Sequence, residues 1–299
     1  MMMRDPRRLL GASLPDSTSG WTADQVILYH LAAGAGLSGA SAEELPYIYE
    51  KNLEVLPTFG VIPGFGAVAG LNDVPGLEID LTRLLHIAHD IEIPKPIPSE
   101  GRARHSGRIE AVYDEQTGAR LLVEIESFDQ HGDLLFTNRF SILLLGAGGF
   151  GGEPAPPRGQ PRPSRTPDLV VDTPVLPNQA ALYRLLGDKN PLHIDPDFAR
   201  RAGYTRPPLH GLCTFSMVCK AVIDHAQGGD GRSVGRIQAA FAGPVFPGDT
   251  IATEMWCEDG LVTVASKVKE RGTPVIAAGT VQFRGGVPAN RKRIRVNVP

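Results

Sequence analysis

Apolar positions in the first half of the chain follow a helical period at first and a strand period later. Helical spacing predicts helices over residues 21–34 and 43–56. Alternating and β-branched runs then predict four strands, over residues 84–93, 104–113, 120–128 and 134–145. The turn-forming residues 115–118 separate the second of these strands from the third. The first half is therefore predicted to contain helices followed by an antiparallel meander.

The second half repeats this order. Helices are predicted over residues 178–186, 196–202 and 211–226, and strands over residues 233–241, 250–258, 261–269 and 275–283. In both halves the first strand of the meander leads into a proline-containing stretch, at residues 94–98 and 244–248. This correspondence indicates a duplicated α+β unit, in which each copy packs a long helix against an antiparallel sheet.

A glycine- and proline-rich stretch separates the two copies. Of the 23 residues from 146 to 168, 12 are glycine or proline, so a regular helix or strand cannot persist there. We therefore predict a first repeat at residues 1–145, a linker at 146–168 and a second repeat at 169–299.

Composition excludes several classes of protein. Hydrophobic residues make up 42% of the chain and charged residues 21%, and the formal net charge of -3 provides no field that would gather nucleic acid. The three cysteines, Cys213, Cys219 and Cys257, lack CxxC spacing, so neither a disulfide framework nor a thiolate zinc site is expected. No window approaches the ~18 apolar residues of a membrane span, and residues 1–16 lack the apolar run of a signal peptide. We expect a soluble intracellular protein.

Three further features suggest cofactor or nucleophile chemistry but are rejected on their context. Residues 146–151 match GxGxxG, yet the prolines that follow cannot form the helix that a dinucleotide site requires. His86 and His89 could be taken for a metal-binding pair, but strand geometry is expected to point them to opposite faces. Cys213 lies on a predicted apolar helix and is expected to be a core residue. We therefore predict neither a metal nor a cofactor.

The segment from Tyr183 to His193 carries the strongest candidate chemistry. Its Gly-Asp-x-Asn-Pro stretch is also ordinary turn chemistry, and Asp195 before Pro196 is explained as a helix N-cap. A carboxylate and an imidazole five residues apart across a tight bend can, however, converge on one water molecule. Asp188 and His193 are then suited to taking one proton and giving another.

Several motifs in the same order resemble one enzyme family. They are GDKNPLH at residues 187–193, LPTF at 56–59, LLH at 84–86, GGFGG at 148–152, LHGLCTF at 209–215 and FAGPVFPG at 241–248. Together these motifs are similar to those of the hydratase 2 group of enoyl-CoA hydratases. These enzymes are also called MaoC-like dehydratases, and the group includes the hydratase part of peroxisomal multifunctional enzyme type 2.

The resemblance implies a fold, a reaction and a set of site residues. The fold is an α+β double hotdog, and the enzyme is a hydro-lyase of fatty acid β-oxidation. It would hydrate trans-2-enoyl-CoA reversibly to (3R)-3-hydroxyacyl-CoA, without metal or redox cofactor, as a homodimer. The family's catalytic groups fall on Asp188, His193 and the amide of Gly211. Its substrate-binding positions fall on Tyr183, Asn190, Pro191, Leu192, His210, Phe241 and His86.

The chain departs from the family pattern at two positions and in its first repeat. Leu186 replaces a small residue before Gly187, and Ile87 replaces a glycine that many members have after His86. Because the first repeat lacks a GDxNPxH string, we expect one active site per chain, with the acyl tail directed towards residues 61–71.

Two alternative functions and two locations stay open. The alternatives are a hydratase for bulky esters such as steroid side-chain enoyl-CoAs, and a non-catalytic module that binds acyl-CoA or an acyl carrier. The expected location is the cytoplasm if the chain is bacterial. A peroxisomal location is expected only within a larger chain, because residues 296–299 are not a Ser-Lys-Leu type address.

Overall fold

A computed structural model describes residues 6–37, 39–77, 79–226 and 230–284 together with the backbone of residues 294–297. The strands are β1 (Ser13–Trp21), β2 (Leu84–Glu92), β3 (Gly101–Asp114), β4 (Gly118–Phe128), β5 (Leu134–Leu145), β6 (Leu169–Pro174), β7 (Val234–Phe241), β8 (Thr250–Glu258), β9 (Leu261–Val268), β10 (Pro274–Phe283) and β11 (Ile294–Asn297). The α-helices are α1 (Ala23–Ala32), α2 (Leu45–Ile48), α3 (Val61–Val68), α4 (Gln179–Tyr183), α5 (Pro196–Arg201) and α6 (Gly211–Ala226). Short 3-10 turns occupy Pro6–Leu9, Pro57–Gly60, Ala69–Asp73, Arg184–Leu186, Pro191–His193 and Gly231–Ser233.

The eleven strands of the described residues belong to one sheet, whose halves meet at β2 and β7. The strand order is β1-β3-β4-β5-β2-β7-β10-β9-β8-β6-β11. β2 and β7 pair in antiparallel register from Ala88 opposite Ala240 to Glu92 opposite Arg236. On either side of this pair the strands follow in the same sequence, so that β1 to β5 correspond one for one to β6 to β10. The predicted duplicated α+β unit is confirmed.

The central helices of the two halves differ in length. α6 has 16 residues and is buried along most of its surface, because its apolar side chains face the second half of the sheet. Cys213 on this helix is fully buried, and its Sγ lies 3.2 Å from the Ala32 carbonyl oxygen, which confirms it as a core residue. The corresponding helix of the first half is α3, which has eight residues. Gly66 on α3 and the following Ala69 are exposed.

A row of hydrogen-bonded polar side chains crosses the buried face of the first half. His89 Nε2 lies 3.1 Å from Asn138 Oδ1, and Asn138 donates in turn to the Gly60 carbonyl oxygen at 3.0 Å. On the neighbouring strands, His105 is bonded to Ser127 Oγ at 2.9 Å and to Ser19 Oγ at 2.8 Å. These hydrogen bonds offset the cost of burying the polar groups, except at His89 Nδ1, which has no hydrogen-bond partner among the described residues.

One predicted helix is wrong over most of its length. In place of a helix over residues 43–56, the structure forms only α2 and then an irregular loop in which Asn52 has a φ of 60°. The loop is held by His30, whose Nδ1 donates to the Tyr47 carbonyl oxygen at 2.7 Å and whose Nε2 accepts from Leu56 N at 3.0 Å. The apolar residues of this stretch are thus buried by a loop that His30 holds through two hydrogen bonds, and not by one face of a helix.

Three strands escaped prediction. β1 contains Pro15 and Gly20 and carries a register irregularity between Leu14 and Ser17, so its alternation is broken. β6 has only six residues and follows directly on the proline-rich stretch. β11 pairs in parallel with β6 and lies beyond the last predicted strand. Residues 298–299, which belong to the stretch 296–299 that was predicted not to form a peroxisomal address, lie outside the described residues.

The stretch between β5 and β6 is irregular but held in place. The amides of Gly149 and Gly151 donate to the two oxygens of the Asp114 carboxylate, each at 2.8 Å, so the GxGxxG amides have a partner within the chain. Further along, the Trp256 indole donates to the Arg165 carbonyl oxygen at 2.7 Å. No helix within the described parts of the chain is long and apolar enough to cross a membrane.

Candidate active site

The loop that carries Asp188 is shaped by its own side chains. Gly187 has a φ of 127°, a conformation that side chains other than glycine rarely adopt. Asp188 Oδ1 accepts a hydrogen bond from Asn190 N at 3.1 Å, and Asn190 Oδ1 accepts one from Leu192 N at 3.0 Å. Pro191 then begins a 3-10 turn that ends at His193. The loop therefore presents a carboxylate at its start and an imidazole at its end.

The tautomer of His193 follows from its backbone partner. His193 Nδ1 lies 3.0 Å from the Pro208 carbonyl oxygen. A carbonyl oxygen only accepts, so Nδ1 carries the hydrogen and Nε2 keeps its lone pair in the neutral ring. Burial lowers the pKa of His193, and the nearby Asp188 carboxylate opposes this effect. His193 is thus held as a neutral imidazole with one basic nitrogen available.

The pKa of Asp188 is shifted in the direction opposite to that of His193. Burial raises the pKa of Asp188, while His193 and the bond from the Asn190 amide oppose the shift. Burial therefore favours the uncharged form of both groups and narrows the difference between their pKa values. Such a pair can exchange a proton with a bound water and with a carbon acid at small cost in either direction.

His210 lies behind the pair and holds it in place. Its Nε2 donates to the Asp188 carbonyl oxygen at 3.3 Å, and its ring centroid lies 3.9 Å from that of His193 with a 32° interplanar angle. The centroid of the Tyr183 ring lies 4.9 Å from that of the same imidazole. Burial, with His193 nearby, lowers the pKa of His210 to about 2, so this ring stays neutral. His210 and Tyr183 are each 1% exposed.

Asp188, His193 and His210 are also close enough to be considered as metal ligands. One donor atom from each lies within 4.8 Å of the others, a grouping that the sequence hides because 22 residues separate Asp188 from His210. The geometry fits a metal poorly. The two imidazoles stack with a 32° interplanar angle, so the in-plane lone pairs of the two rings do not meet at one ion. The separation of up to 4.8 Å between these donor atoms suits a water molecule that is hydrogen-bonded to both Asp188 and His193.

The N-terminus of α6 is accessible beside Asp188 and His193. Gly211 follows His210 directly and is exposed, although the helix behind it is buried. A Cβ at this position would lie 3.8 Å from the Phe241 ring, so the glycine leaves the first turn of the helix accessible. Backbone amides in the first turn of a helix lack partners within the helix and favour negative charge.

The first half contributes His86 to the surroundings of Phe241. The two ring centroids lie 5.3 Å apart. The prediction that His86 and His89 point to opposite faces is wrong, because their rings lie 5.4 Å apart in edge contact. The physical reason is a register irregularity between His86 and Ala88, an extra residue that turns both side chains to the same face.

An aromatic row continues from His86 into the first half. Phe140 lies 5.4 Å from His86, and Phe65 of α3 lies 6.3 Å from Phe140, measured between ring centroids. The row therefore connects the start of α6, through Phe241 and His86, to the short helix α3.

The structure brings the sequence-predicted residues into one region. Asp188, Asn190 and His193 share the loop, Tyr183 and His210 lie behind it, and Phe241 joins Gly211 to His86. Sequence reasoning did not find the Pro208 carbonyl that orients His193, because every residue type has a backbone carbonyl that can accept a hydrogen bond.

Comparisons with known proteins match both halves of the chain. Residues 158–279 match the family described as MaoC like domain, and residues 20–146 match the MFE-2 hydratase 2 N-terminal domain. The enoyl-CoA hydratase ChsH3 of Mycobacterium tuberculosis is 41% identical over 273 residues, which cover 90% of this chain and 95% of the relative. The peroxisomal enoyl-CoA hydratase 2 of Arabidopsis thaliana is 39% identical, over 93% of this chain and 94% of the relative.

Solved structures share the architecture. Full-length peroxisomal multifunctional enzyme type 2 from Drosophila melanogaster matches with a TM-score of 0.80 at 31% identity, covering 91% of this chain and 48% of that protein. A Mycobacterium tuberculosis protein described as having a double hotdog fold matches with a TM-score of 0.60 at 11% identity, over 92% of this chain and 98% of that one. The predicted double hotdog fold is confirmed.

Proposed function

The chain belongs to the MaoC-like hydratase 2 family, and on that premise we propose that it is an (R)-specific 2-enoyl-CoA hydratase. It adds water reversibly to trans-2-enoyl-CoA esters to give (3R)-3-hydroxyacyl-CoA. The observation that carries the proposal is the pairing of Asp188 with His193, whose donor atoms lie within 4.8 Å, beside the exposed start of α6. The family resemblance of the whole GDxNPxH loop supports the same reaction.

The reaction needs two proton movements and one stabilised charge. A water molecule held between Asp188 and His193 bonds through its oxygen to C3 of the enoyl group, and a proton is delivered to C2. One member of the pair accepts the proton that the water gives up, and the other donates the proton that C2 takes. The electron pair displaced from the double bond is carried meanwhile by the thioester oxygen, for which the amide of Gly211 is the proposed donor.

Product chirality tests the proposal directly. Purified protein should remove the enoyl absorbance of crotonyl-CoA, and the product should be oxidised by an (R)-specific but not by an (S)-specific 3-hydroxyacyl-CoA dehydrogenase. EDTA should leave the rate unchanged, because we propose a reaction without metal or redox cofactor. An (S) product, activity that needs added zinc, or binding of the ester without turnover would each refute the proposal. The last outcome would favour a non-catalytic acyl-thioester module.

Acyl length tests the role of the first half. We propose that the acyl tail runs along the aromatic row towards residues 61–71, where a Cβ added at Gly66 would meet open space within 4 Å. Gly66→Phe, and likewise Ala69→Phe, should lower kcat/KM for long or bulky enoyl-CoAs by ~10-fold or more and leave crotonyl-CoA nearly unaffected, because added bulk penalises only the esters that reach it.

Gly66→Ala is the matched control, since one methyl group fits the open space and should change neither substrate. Equal losses on short and long esters, or calorimetric binding of two CoA esters per chain, would contradict this arrangement. A wild-type enzyme that accepts steroid side-chain enoyl-CoA would identify the bulky-substrate alternative. Relatives include a bacterial and a peroxisomal protein. The proposed location is the cytoplasm if the chain is bacterial, and a peroxisome only if it is delivered as part of a larger chain.

A further inference from the structure

Two histidines of β2 each carry a buried ring nitrogen that has no hydrogen-bond partner in the described part of the chain. These atoms are His86 Nε2 and His89 Nδ1. The two ring centroids lie 5.4 Å apart, so one small group can contact both rings. Buried polar atoms are nearly always hydrogen-bonded in native proteins, so two unpartnered nitrogens on adjacent rings point to a partner that the chain itself does not supply.

His105 shows that this fold can pair a buried histidine completely. It belongs to the row of buried polar side chains in the first half, and its Nδ1 and Nε2 are bonded to Ser127 Oγ and Ser19 Oγ. The rings of His86 and His89 are arranged differently, because the extra residue that follows His86 turns both of them to one face of the sheet. Bulges of this kind are common beside active sites, where they redirect a side chain.

The hydrogen bonds of Asn138 determine which nitrogen of His89 is bare. The Asn138 amide nitrogen donates to the Gly60 carbonyl oxygen, so Asn138 Oδ1 accepts a hydrogen from His89 Nε2. In the neutral ring, His89 Nδ1 then keeps its lone pair and acts only as an acceptor. Burial lowers the pKa of His86 and that of His89 to about 3, so both rings are neutral at neutral pH.

The two histidines lie along the aromatic row that leads from the start of α6 into the first half. His86 contacts Phe241 and Phe140, with centroid distances of 5.3 and 5.4 Å. His86, Phe241 and Phe65 are half-buried and therefore partly accessible, whereas His89 and Phe140 are buried. The row thus combines an accessible apolar surface with two hydrogen-bonding nitrogens.

We infer that His86 and His89 form a binding site for a hydroxyl group on the acyl chain of the ester. This inference rests on the proposed function, in which the acyl tail runs along the same row. A hydroxyl can donate to His89 Nδ1, which a carbonyl or ether oxygen cannot do. The neutral His86 ring can carry its hydrogen on Nε2, so the oxygen of the same hydroxyl accepts from it. An ammonium group would also donate, but burying a charge without a counterion is costly.

A scan of hydroxyl positions with the wild type tests the inference. The substrates are trans-2-decenoyl-CoA and the same ester with one hydroxyl at successive carbons from the middle of the chain to its end. At one carbon the hydroxyl should meet the two nitrogens, and kcat/KM there should exceed that of the neighbouring positions about tenfold or more. At the other carbons a hydroxyl enters apolar surroundings without a partner, so kcat/KM should fall below that of the plain ester.

Substitution of His86 assigns this peak to the histidine pair. His86→Phe keeps a ring in the aromatic row but removes the nitrogen, so kcat/KM at the peak should fall to within about twofold of the neighbouring positions, whatever the rate on the plain ester. His86→Gln can still donate and accept and should keep a reduced peak. His131→Phe is the matched control, because His131 is an exposed histidine of the first half and its substitution should leave the scan unchanged.

Two outcomes of the scan would overturn the inference. One is a wild type for which no hydroxyl position gives a peak, which would mean that water alone binds the two nitrogens. The other is a peak that persists in folded His86→Phe, because the hydroxyl would then bind elsewhere. The first outcome needs no variant, so the scan decides even if a substitution prevents folding.

Calorimetry with saturated esters separates this inference from the proposed reaction. If the wild type hydrates no enoyl-CoA, the proposed function fails. The hydroxyl site then still predicts that one positional isomer of hydroxydecanoyl-CoA binds about tenfold or more tightly than the others, and that His86→Phe removes this difference. Equal binding of all isomers to the wild type would overturn the inference independently of catalysis.

Discussion

Asp188→Asn and His193→Ala are each expected to fold normally and to lower kcat by at least ~10²-fold, the usual contribution of one positioned acid or base. The asparagine keeps an oxygen that can accept from the Asn190 amide, which the aspartate does at 3.1 Å, so the loop should hold its shape. What it loses is the ability to exchange a proton. Hydration of crotonyl-CoA measures the effect, and thermal unfolding checks the fold.

His193→Ala also removes a ring that stacks on His210 and a donor to the Pro208 carbonyl, so a second variant is needed. His193→Asn offers a donor near the position of Nδ1 but no base, and it should be as inactive as the alanine variant. Lys189→Gln is the control within the same loop, since Lys189 is exposed and has no proposed part in proton transfer. Near-wild-type turnover in folded Asp188→Asn or His193→Asn would remove these residues from the mechanism.

The repeated architecture could be predicted because each half presents the same order of periodic elements. Alternation over residues 134–145 predicts β5 with its observed bounds, and the apolar run over residues 211–226 does the same for α6. Both elements are buried along most of their length, so their runs of apolar residues mark their place in the fold directly. The edge strand β1 does not, because Pro15 and a register irregularity interrupt its alternation.

The fine geometry of the site could not be predicted from residue spacing. Ideal strand geometry puts His86 and His89 on opposite faces, and a single extra residue reverses the result. His210 is 22 residues from Asp188 in the chain and becomes its neighbour only because the segment before α6 folds back onto the loop. The family resemblance proposes the site residues, whereas the tautomer of His193 and its stacking on His210 follow from the tertiary contacts.

Buried histidines are expected to make the protein sensitive to mild acid. His30, His89 and His210 are each at most 2% exposed. Burial lowers the pKa of His30 to about 4, that of His89 to about 3 and that of His210 to about 2, from an ordinary value of 6.5. His30 shows the cause in its contacts, because its Nε2 accepts from the Leu56 amide and cannot also bind a proton without losing that bond.

The sign of the effect follows from the proton count. Between pH 6.5 and about 4 the unfolded chain protonates these histidines and the folded chain does not, so the free energy of unfolding decreases as the pH falls. Each histidine contributes a loss of about 2 kcal/mol between pH 7 and pH 5. Burial raises the pKa of Asp188 and of Asp224, which opposes the loss at lower pH. The net change in the free energy of unfolding therefore combines contributions of opposite sign. The contribution of a single histidine is the clearer quantity to measure.

The variant His89→Gln isolates the contribution of His89 to the pH dependence of the free energy of unfolding. Glutamine can still donate to Asn138 Oδ1, as His89 Nε2 does at 3.1 Å, but it has no proton to gain in the unfolded chain. In urea unfolding, the variant should lose about 2 kcal/mol less than the wild type between pH 7 and pH 5, whatever its stability at pH 7. His131→Gln, at an exposed histidine, should show the same pH dependence as the wild type. If His89→Gln also matched the wild type, the buried imidazole would have to accept a proton in the folded state, and the interior around Asn138 would be more polar than its contacts indicate.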